Sequence, residues 1–212
     1  MKRVIASLLV LSLAVAPAVA QTSWNIAAAA VKGSAVFIQT SQSSCTGFII
    51  NDKAKGGQNR TDDVDYILTA AHCDGTDLYA GQRPAIVKAK DVKKDLMVLE
   101  VEDLERPALR LAKKDPVLGE EVASFGYGYG LEDPMFRVAH ISNDKIYIPY
   151  EGIGGPLFAI DSSFVPGQSG GPVVNAAGEV VLIVQLGTPV VGFGVGAEII
   201  RDKVGRYFGV PR

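Results

Sequence analysis

Histidine and cysteine are both scarce in this sequence, with two residues of each among 212. Two histidines leave few choices for a general base that works near neutral pH. A net charge of -2 provides no basic surface for a nucleic acid, so that class of partner is excluded. Repeats and low-complexity tracts are absent as well. Because 48% of the residues are hydrophobic, the composition excludes disorder and suits one compact unit.

Long apolar runs are also missing, except at the N-terminus. Lys2 and Arg3 precede VIASLLVLSLAVAPAVA, which ends at Ala20 with a small-x-small pattern. This order predicts a secretory signal peptide, residues 1–20, cleaved after Ala20. A membrane anchor is the alternative, because about 17 apolar residues approach a spanning length. Pro17 and the small residues favour cleavage, so we expect an exported chain, periplasmic or extracellular, without a membrane anchor after processing.

Both cysteines, Cys45 and Cys73, lie beyond this segment. An exported chain meets an oxidising compartment, which favours a disulfide between them. Such a bond would close a loop of about 28 residues and stabilise the fold by roughly 3–4 kcal/mol on the chain-entropy model. Two free thiols are the alternative.

Short apolar segments separated by glycine, asparagine and aspartate dominate the sequence from about residue 28 onward. About twelve such segments predict an all-β fold of antiparallel barrels or a sandwich. Helical periodicity is convincing only in AEIIRDKVGRYF near the C-terminus. There, four apolar side chains share one face, which predicts a single C-terminal helix; they are Ile199, Ile200, Val204 and Phe208.

The segment PGQSGGP places Ser169 among three glycines. A serine hydroxyl is a weak nucleophile until a neighbouring base removes its proton, and a carboxylate behind that base orients it. His72 follows the apolar segment YILTAA, and Asp95 begins the apolar segment of KKDLMVLEV, so these residues complete a candidate triad. Asp91 is the less favoured carboxylate. His140 lies among alternating apolar residues and is expected to be a partly buried strand residue.

The glycines around this serine suggest an oxyanion hole. Acyl transfer places negative charge on the former carbonyl oxygen, and a backbone N–H aimed at that oxygen typically contributes about 100 to 1,000-fold in rate. Gly167 can adopt backbone angles that other residues resist, which would direct the N–H groups of Gly167 and Ser169 toward one point. A plain glycine-rich hairpin turn is the alternative.

These motifs together resemble the chymotrypsin-fold serine peptidases over nearly the whole chain after the signal peptide. TAAHC is similar to the histidine motif of that family, KDLMVLEV to its aspartate strand and GQSGGP to its nucleophile loop. The resemblance implies two six-stranded antiparallel β-barrels, about 28–115 and about 116–212, with the active site between them. It also implies endopeptidase activity on polypeptide substrates, without a cofactor or metal, and a Cys45–Cys73 disulfide beside His72.

Within the family, the bacterial HtrA-like proteases are the most similar group, although we expect no PDZ module here. The residue before the serine, Gln168, stands where the digestive enzymes hold an aspartate that pairs with a newly released N-terminus. Because an amide cannot form that ion pair, no such activation is expected. Substrate preference is predicted from four residues near the nucleophile, which suggest a neutral, apolar pocket for small or medium side chains. They are Ser163, Phe164, Val184 and Gln185.

The sequence therefore predicts an exported serine endopeptidase. His72 must be neutral to act as a base, so activity is expected to rise from mildly acidic to neutral pH. A non-catalytic binding or adhesion protein on the same scaffold is the alternative function. An esterase of different fold would place its histidine last in the chain, which is the reverse of the order here.

Overall fold

The computed structural model describes residues 20–50, 64–102, 104–148 and 154–208. Apart from Ala20, the predicted signal peptide lies outside the described residues. Within the described ranges, no helix combines the length and the apolarity that a membrane span requires.

The first six strands close into an antiparallel barrel with the order β1-β2-β3-β6-β5-β4. Inside it, Ile38, Ile67 and Leu99 are fully buried, because branched side chains pack well on a half-buried pleated sheet. The strands are β1 (Ala35–Gln39), β2 (Ser44–Ile49), β3 (Val64–Thr69), β4 (Tyr79–Ala80), β5 (Arg83–Asp91) and β6 (Leu96–Glu102).

The remaining six strands form a second closed antiparallel barrel with the order β10-β11-β12-β9-β8-β7. Its core contains Ile160, Leu182 and Val184, all at most 1% exposed. The strands are β7 (Glu121–Gly126), β8 (Met135–Ile146), β9 (Leu157–Ile160), β10 (Pro172–Val174), β11 (Val180–Gly187) and β12 (Gly192–Gly196). The predicted fold of two six-stranded antiparallel barrels is thereby confirmed.

A helix follows the second barrel, as the sequence predicts. It is labelled α2 and spans Ala197–Phe208. Ile200 and Val204, four residues apart on one face, are buried, and Ile199 packs partly against the same core. The side chain of Phe208, the fourth residue assigned to that face, is not among those described.

The start of the chain differs from the prediction. The sequence predicts a helix only near the C-terminus, but Ala20–Ser34 forms a further helix, α1, which ends where β1 begins at Ala35. The alanine-rich stretch NIAAAAVK explains the difference, since alanine has the highest helix propensity. Ala27 and Val31, one helical turn apart, are buried on the inner face.

This first helix packs against the second barrel although it leads into the first. The Trp24 ring meets Phe136 of β8 edge to face, with 6.3 Å between the ring centroids. Trp24 Nε1 also donates a hydrogen bond to Glu121, the first residue of β7, at 2.5 Å. Helix α1 thus connects the two barrels on the side where β7 lies.

Candidate active site

His72 and Asp95 are brought together by the pairing of β3 with β6. The two strands run antiparallel with Thr69 opposite Met97, so the end of β3 lies beside the start of β6. His72 sits in a 3-10 turn just after β3, and Asp95 directly precedes β6. Asp95 has φ +49°, a left-handed conformation that aspartate tolerates better than most residues.

The carboxylate of Asp95 binds His72 at two points. One oxygen accepts the backbone N–H of His72 at 2.9 Å, and the other lies 2.8 Å from its Nδ1. The Asp95 side chain is 5% exposed and the His72 side chain 46% exposed. Because an ionised carboxylate only accepts hydrogen bonds, Nδ1 carries the proton in the neutral ring. The other ring nitrogen, Nε2, then keeps a lone pair that can accept a proton.

The less favoured carboxylate and the second histidine have other partners. Asp91 accepts the backbone N–H of Lys94 at 3.0 Å and lies 2.5 Å from the ammonium group of Lys203. Burial acts to raise the pKa of Asp91, but these hydrogen bonds outweigh it and lower the pKa below its ordinary value. His140 lies on β8 as predicted, but its side chain is 52% exposed rather than partly buried. The reason is that its strand position faces Asp161 and solvent.

Two consecutive β-turns carry the candidate nucleophile. In the first, Gln168 N–H donates to the Val165 carbonyl at 3.1 Å, with Pro166 and Gly167 between them. In the second, Gly171 N–H donates to the Gln168 carbonyl at 3.0 Å, with Ser169 as the first central residue. The second central residue has positive φ in both turns, +98° at Gly167 and +79° at Gly170, which is the type II pattern and requires glycine.

The two turns leave two backbone N–H groups near the Ser169 hydroxyl without an acceptor among the described residues. Gln168 N–H and Gly171 N–H close the turns, and Gly170 N–H donates to the Val184 carbonyl at 2.7 Å. Among the described residues, no acceptor bonds the N–H of Gly167 or of Ser169. These are the two groups that the sequence assigns to the oxyanion hole.

A threonine of the first barrel holds this loop. Thr46, on β2, donates its backbone N–H to the Ser169 carbonyl at 2.8 Å. Its hydroxyl donates to the Gly167 carbonyl at 2.8 Å and accepts the N–H of Tyr127 at 2.9 Å. The side chain is fully buried. Sequence reasoning missed this residue, because a lone threonine in an apolar strand gives no signal for contacts 121 residues away.

Gln185 connects the aspartate with the serine. The Ser169 hydroxyl donates to the Gln185 backbone carbonyl at 3.4 Å, and Gln185 Nε2 donates to the carbonyl of Lys94 at 2.5 Å. Gln185 is 1% exposed. No hydrogen bond joins Ser169 to His72 within the described ranges. Hydrogen bonds of this kind often tighten only when substrate is bound.

The other predicted pocket residues lie next to this loop. Arg137, on β8, donates from one guanidinium nitrogen to both the carbonyl and the hydroxyl of Ser163, at 2.8 and 2.5 Å. Phe164 is 6% exposed and lies directly against the backbone of Gly187 and Gly192. A Cβ atom would come within 2.5 Å of Phe164 at the first glycine and 1.7 Å at the second. Val184 is 1% exposed, in the core of the second barrel.

Cys45 and Cys73 form a disulfide with an S–S distance of 2.01 Å. The bond links β2 to the 3-10 turn that carries His72. Potential ligand atoms of His72 and the two cysteines lie within 4.8 Å of one another. Zinc binds deprotonated thiolates, however, and each sulfur here is bonded to the other, so this cluster offers no metal site in the oxidised protein.

The two barrels, with a histidine–aspartate pair from one and a glycine-flanked serine from the other, define the class of chymotrypsin-fold serine peptidases. A comparison with family models agrees, since residues 45–181 match the trypsin-like peptidase domain. The chain belongs to this family.

Individual relatives point to the bacterial branch. A probable periplasmic serine endoprotease, DegP-like, from Hahella chejuensis is 33% identical over 156 residues, covering 68% of this chain and 29% of that protein. The serine protease Rv3671c of Mycobacterium tuberculosis is 28% identical over 177 residues, covering 76% of this chain and 42% of that protein. The chain thus spans less than half the length of either relative.

Solved structures show the same fold. The crystal structure of the active form of the Rv3671c protease superposes with a TM-score of 0.72 at 24% identity, covering 90% of this chain and 87% of that one. The serine endoprotease from Yersinia pestis gives a TM-score of 0.71 at 21% identity, covering 89% and 67%.

Proposed function

We propose that this protein is an exported serine endopeptidase, with Ser169 as nucleophile, His72 as general base and Asp95 as the carboxylate that orients the histidine. The observation that carries the proposal is the pattern of unused donors. Every N–H from Gln168 to Gly171 is hydrogen bonded within the protein except that of Ser169, and the N–H of Gly167 is also free among the described residues. Buried loops rarely leave such groups unpaired unless a ligand uses them.

In the first half of the reaction, the Ser169 hydroxyl attacks the carbonyl carbon of the cleaved peptide bond while Nε2 of His72 takes its proton. The carbonyl oxygen becomes an oxyanion that accepts hydrogen bonds from the two free N–H groups. Asp95 stays ionised and stabilises the imidazolium. The intermediate then collapses, His72 gives its proton to the departing amine, and an ester joins the acyl group to Ser169.

The second half repeats these steps with water. His72 removes a proton from a water molecule as the water oxygen attacks the ester carbon, and the same N–H groups bind the second oxyanion. When the intermediate collapses, His72 returns its proton to the serine oxygen and the acid product leaves. No cofactor or metal enters any step.

For substrate preference, we propose small or medium apolar side chains before the cleaved bond. The backbone carbonyl of Gln185 accepts a hydrogen bond from the Ser169 hydroxyl. The segment from Gln185 to Gly187 therefore runs beside the substrate carbonyl that the serine attacks. The ring of Phe164 already occupies the space against Gly192, its Cβ lies against Gly187, and the guanidinium group of Arg137 donates hydrogen bonds to Ser163. The pocket is therefore shallow, and a large side chain would have to displace a buried phenylalanine.

We base the proposed export on the signal-peptide features of the N-terminus: positive charge, an apolar run and small residues at its end. Cleavage is proposed after Ala20. The name of the Hahella chejuensis relative, a probable periplasmic endoprotease, agrees with this location. Polypeptides are the proposed substrates.

A peptide-library experiment with a matched variant tests the function. The signal-cleaved protein and its Ser169→Ala variant are incubated with mixed peptides and, separately, with a serine-directed phosphonate. We expect internal cleavage after alanine, valine or similar residues, one covalent phosphonate adduct, and neither result with the variant. A folded, disulfide-bonded protein that cleaves no peptide and takes up no phosphonate would instead indicate the binding protein.

A further inference from the structure

Asp95 is the last residue of the tight turn between β5 and β6, and its backbone conformation is unfavourable. Its φ of +49° lies in the left-handed region, where residues other than glycine persist only if the surrounding structure holds them. Within the turn, the Asp95 N–H donates a long hydrogen bond to the Val92 carbonyl, at 3.3 Å. Further contacts are therefore needed to keep the side chain of Asp95 on His72.

Asp91, the last residue of β5, holds one peptide group of this turn. Its Oδ1 accepts the N–H of Lys94 at 3.0 Å, as the capping residue of a helix accepts an N–H of the first turn. The carbonyl of the same peptide group, on Lys93, accepts the N–H of Gly154 at 2.6 Å. A peptide group bonded on both sides cannot rotate without breaking one of the two hydrogen bonds.

The next peptide group joins Lys94 to Asp95 and is also held on both sides. Its carbonyl accepts Nε2 of Gln185 at 2.5 Å, and its N–H makes the turn hydrogen bond described above. Beyond Asp95 the chain enters β6, where Leu96 pairs with Asp91. Because each peptide group is planar, fixing the planes around a Cα atom fixes its two soft dihedrals. The direction of the Asp95 side chain is set in this way.

The second oxygen of Asp91 is held by a distant part of the chain. Oδ2 lies 2.5 Å from Nζ of Lys203, on α2. The two side chains are 13% and 26% exposed, so solvent screens this pair less than an ion pair on the surface. Burial acts to raise the pKa of Asp91, but the hydrogen bonds from Lys203 and Lys94 bring it below its ordinary value, so the group is ionised at neutral pH. The carboxylate is thus fixed through both oxygens.

A second ion pair on the same two strands provides a contrast. Lys88 of β5 and Glu100 of β6 lie 2.7 Å apart, with side chains 49% and 24% exposed. These residues lie farther along the hairpin, whereas Asp91 directly adjoins the turn that carries Asp95. The contrast separates the effect of an ion pair on the hairpin from the effect of this particular one.

We infer that Asp91 and Lys203 are positioning residues: through Asp91, helix α2 fixes the turn that presents Asp95 to His72. This inference rests on the proposed function. It gives a helix that follows the second barrel a direct hold on the histidine–aspartate pair of the first. Without the ion pair, the Asp91 carboxylate is free to rotate away from Lys94. The turn then samples other conformations, and Asp95 contacts His72 only part of the time.

The test compares three variants by the kcat and KM of peptide hydrolysis. Lys203→Met removes the cation but keeps an unbranched side chain, Lys203→Arg keeps a cation, and Asp91→Ala removes both contacts of the carboxylate. Misplacing a catalytic group by about 1 Å costs on the order of 100-fold, so kcat should fall by about 10 to 100-fold for Asp91→Ala and by about 5 to 20-fold for Lys203→Met. Lys203→Arg should stay within about twofold of the wild type, and KM should change by less than about threefold in all three.

A spectroscopic readout separates positioning from a loss of stability. The Nδ1 proton of His72 exchanges slowly with water only while Asp95 accepts it. Its NMR signal, identified by its absence in His72→Ala, should weaken in Lys203→Met and return in Lys203→Arg. An ion pair with a merely structural role would lower the free energy of unfolding and leave both kcat and this signal unchanged in the folded protein.

Two control variants should match the wild type in kcat and in the NMR signal. Lys88→Met removes the other ion pair of the hairpin, and Arg206→Met removes an ion pair within α2. If Asp91→Ala does not fold, the comparison of Lys203→Met with Lys203→Arg decides alone. Wild-type kcat and signal in Lys203→Met, or an equal loss in Lys88→Met, would overturn the inference and leave the proposed function intact. A wild-type protein that hydrolyses no peptide would refute the proposed function, while the Nδ1 signal would still report whether Lys203 positions Asp95.

Discussion

Two histidine–aspartate pairs in this chain share one hydrogen-bonding pattern in very different surroundings. In each, the backbone N–H of the histidine donates to one carboxylate oxygen and Nδ1 lies near the other. The second distance is 2.8 Å between His72 and Asp95, and 3.3 Å between His140 and Asp161. The geometry of the pair alone therefore does not mark a catalytic site.

Burial separates the two pairs. The Asp95 side chain is 5% exposed, whereas that of Asp161 is 50% exposed. Water and dissolved ions screen an exposed pair, so its contribution is small. A sheltered carboxylate interacts more strongly with a neighbouring charge, which is what stabilising an imidazolium requires.

The outer nitrogen of each histidine also meets a different group. Nε2 of His140 lies 3.9 Å from a second carboxylate, that of Glu121. The pair at His72 instead adjoins the glycine turns of Ser169 through Gln185, which contacts both the serine and the backbone beside Asp95. What distinguishes the candidate site is the combination of a buried acid and a nucleophile.

The largest effect is expected from removing each histidine. His72→Ala should lower kcat by about 10⁵ to 10⁶-fold, because loss of the base in a serine triad is nearly as damaging as loss of the whole triad. His140→Ala should leave kcat within about twofold. The measurement is steady-state hydrolysis of a peptide identified in the library experiment, and equal losses in the two variants would remove the distinction between the pairs.

Changing each aspartate to asparagine should give the next largest effect. Asp95→Asn keeps the shape but lets the amide donate to the ring, which favours the wrong tautomer, and a loss of about 10⁴-fold in kcat is expected. Asp161→Asn serves as the control and should change kcat by less than about twofold. An Asp95→Asn enzyme with near wild-type kcat would show that the carboxylate plays no part in catalysis.

The smallest effect concerns stability, and only the His72 pair has a disulfide beside it. The double variant Cys45→Ala/Cys73→Ala should lower the free energy of unfolding by roughly 3–4 kcal/mol, from the entropy of a loop of about 28 residues. Urea unfolding at neutral pH measures this, with the wild type in the absence of reductant as reference. A change below about 1 kcal/mol would mean that the bond does little to constrain the unfolded chain.

The two barrels could be predicted because their strands and turns leave local patterns in the sequence. Short apolar segments between turn residues fix strand positions, and the periodicity of AEIIRDKVGRYF fixes the helix α2. Helix α1 was missed, because its alanine-rich sequence follows directly on an apolar run and leads into a strand without a break. Its burial against β7 and β8 depends on a contact between Trp24 and Phe136 that no local pattern records.

The candidate site was predictable only where its residues stand in motifs. Ser169, His72 and Asp95 each lie in a recognisable sequence motif. Their catalytic roles remain predictions. Thr46 and Tyr129 have none, because their contacts with the nucleophile loop join parts of the chain distant in sequence. Gln185 is predicted as a pocket residue, and what the sequence gives no signal for is the hydrogen bond from its buried side chain to the Lys94 carbonyl next to Asp95.

The sequence by itself determined the strand and turn chemistry of this protein: apolar segments of strand length, and a glycine at each position where a type II turn needs positive φ. Tertiary structure decided which groups meet. The pairing of β3 with β6 placed His72 beside Asp95, Thr46 bound the carbonyl of Gly167, and Tyr129 fixed which way the peptide after Pro166 faces. The physical reason is that hydrogen bonds are directional and short in range, so their partners are chosen only after the chain has folded.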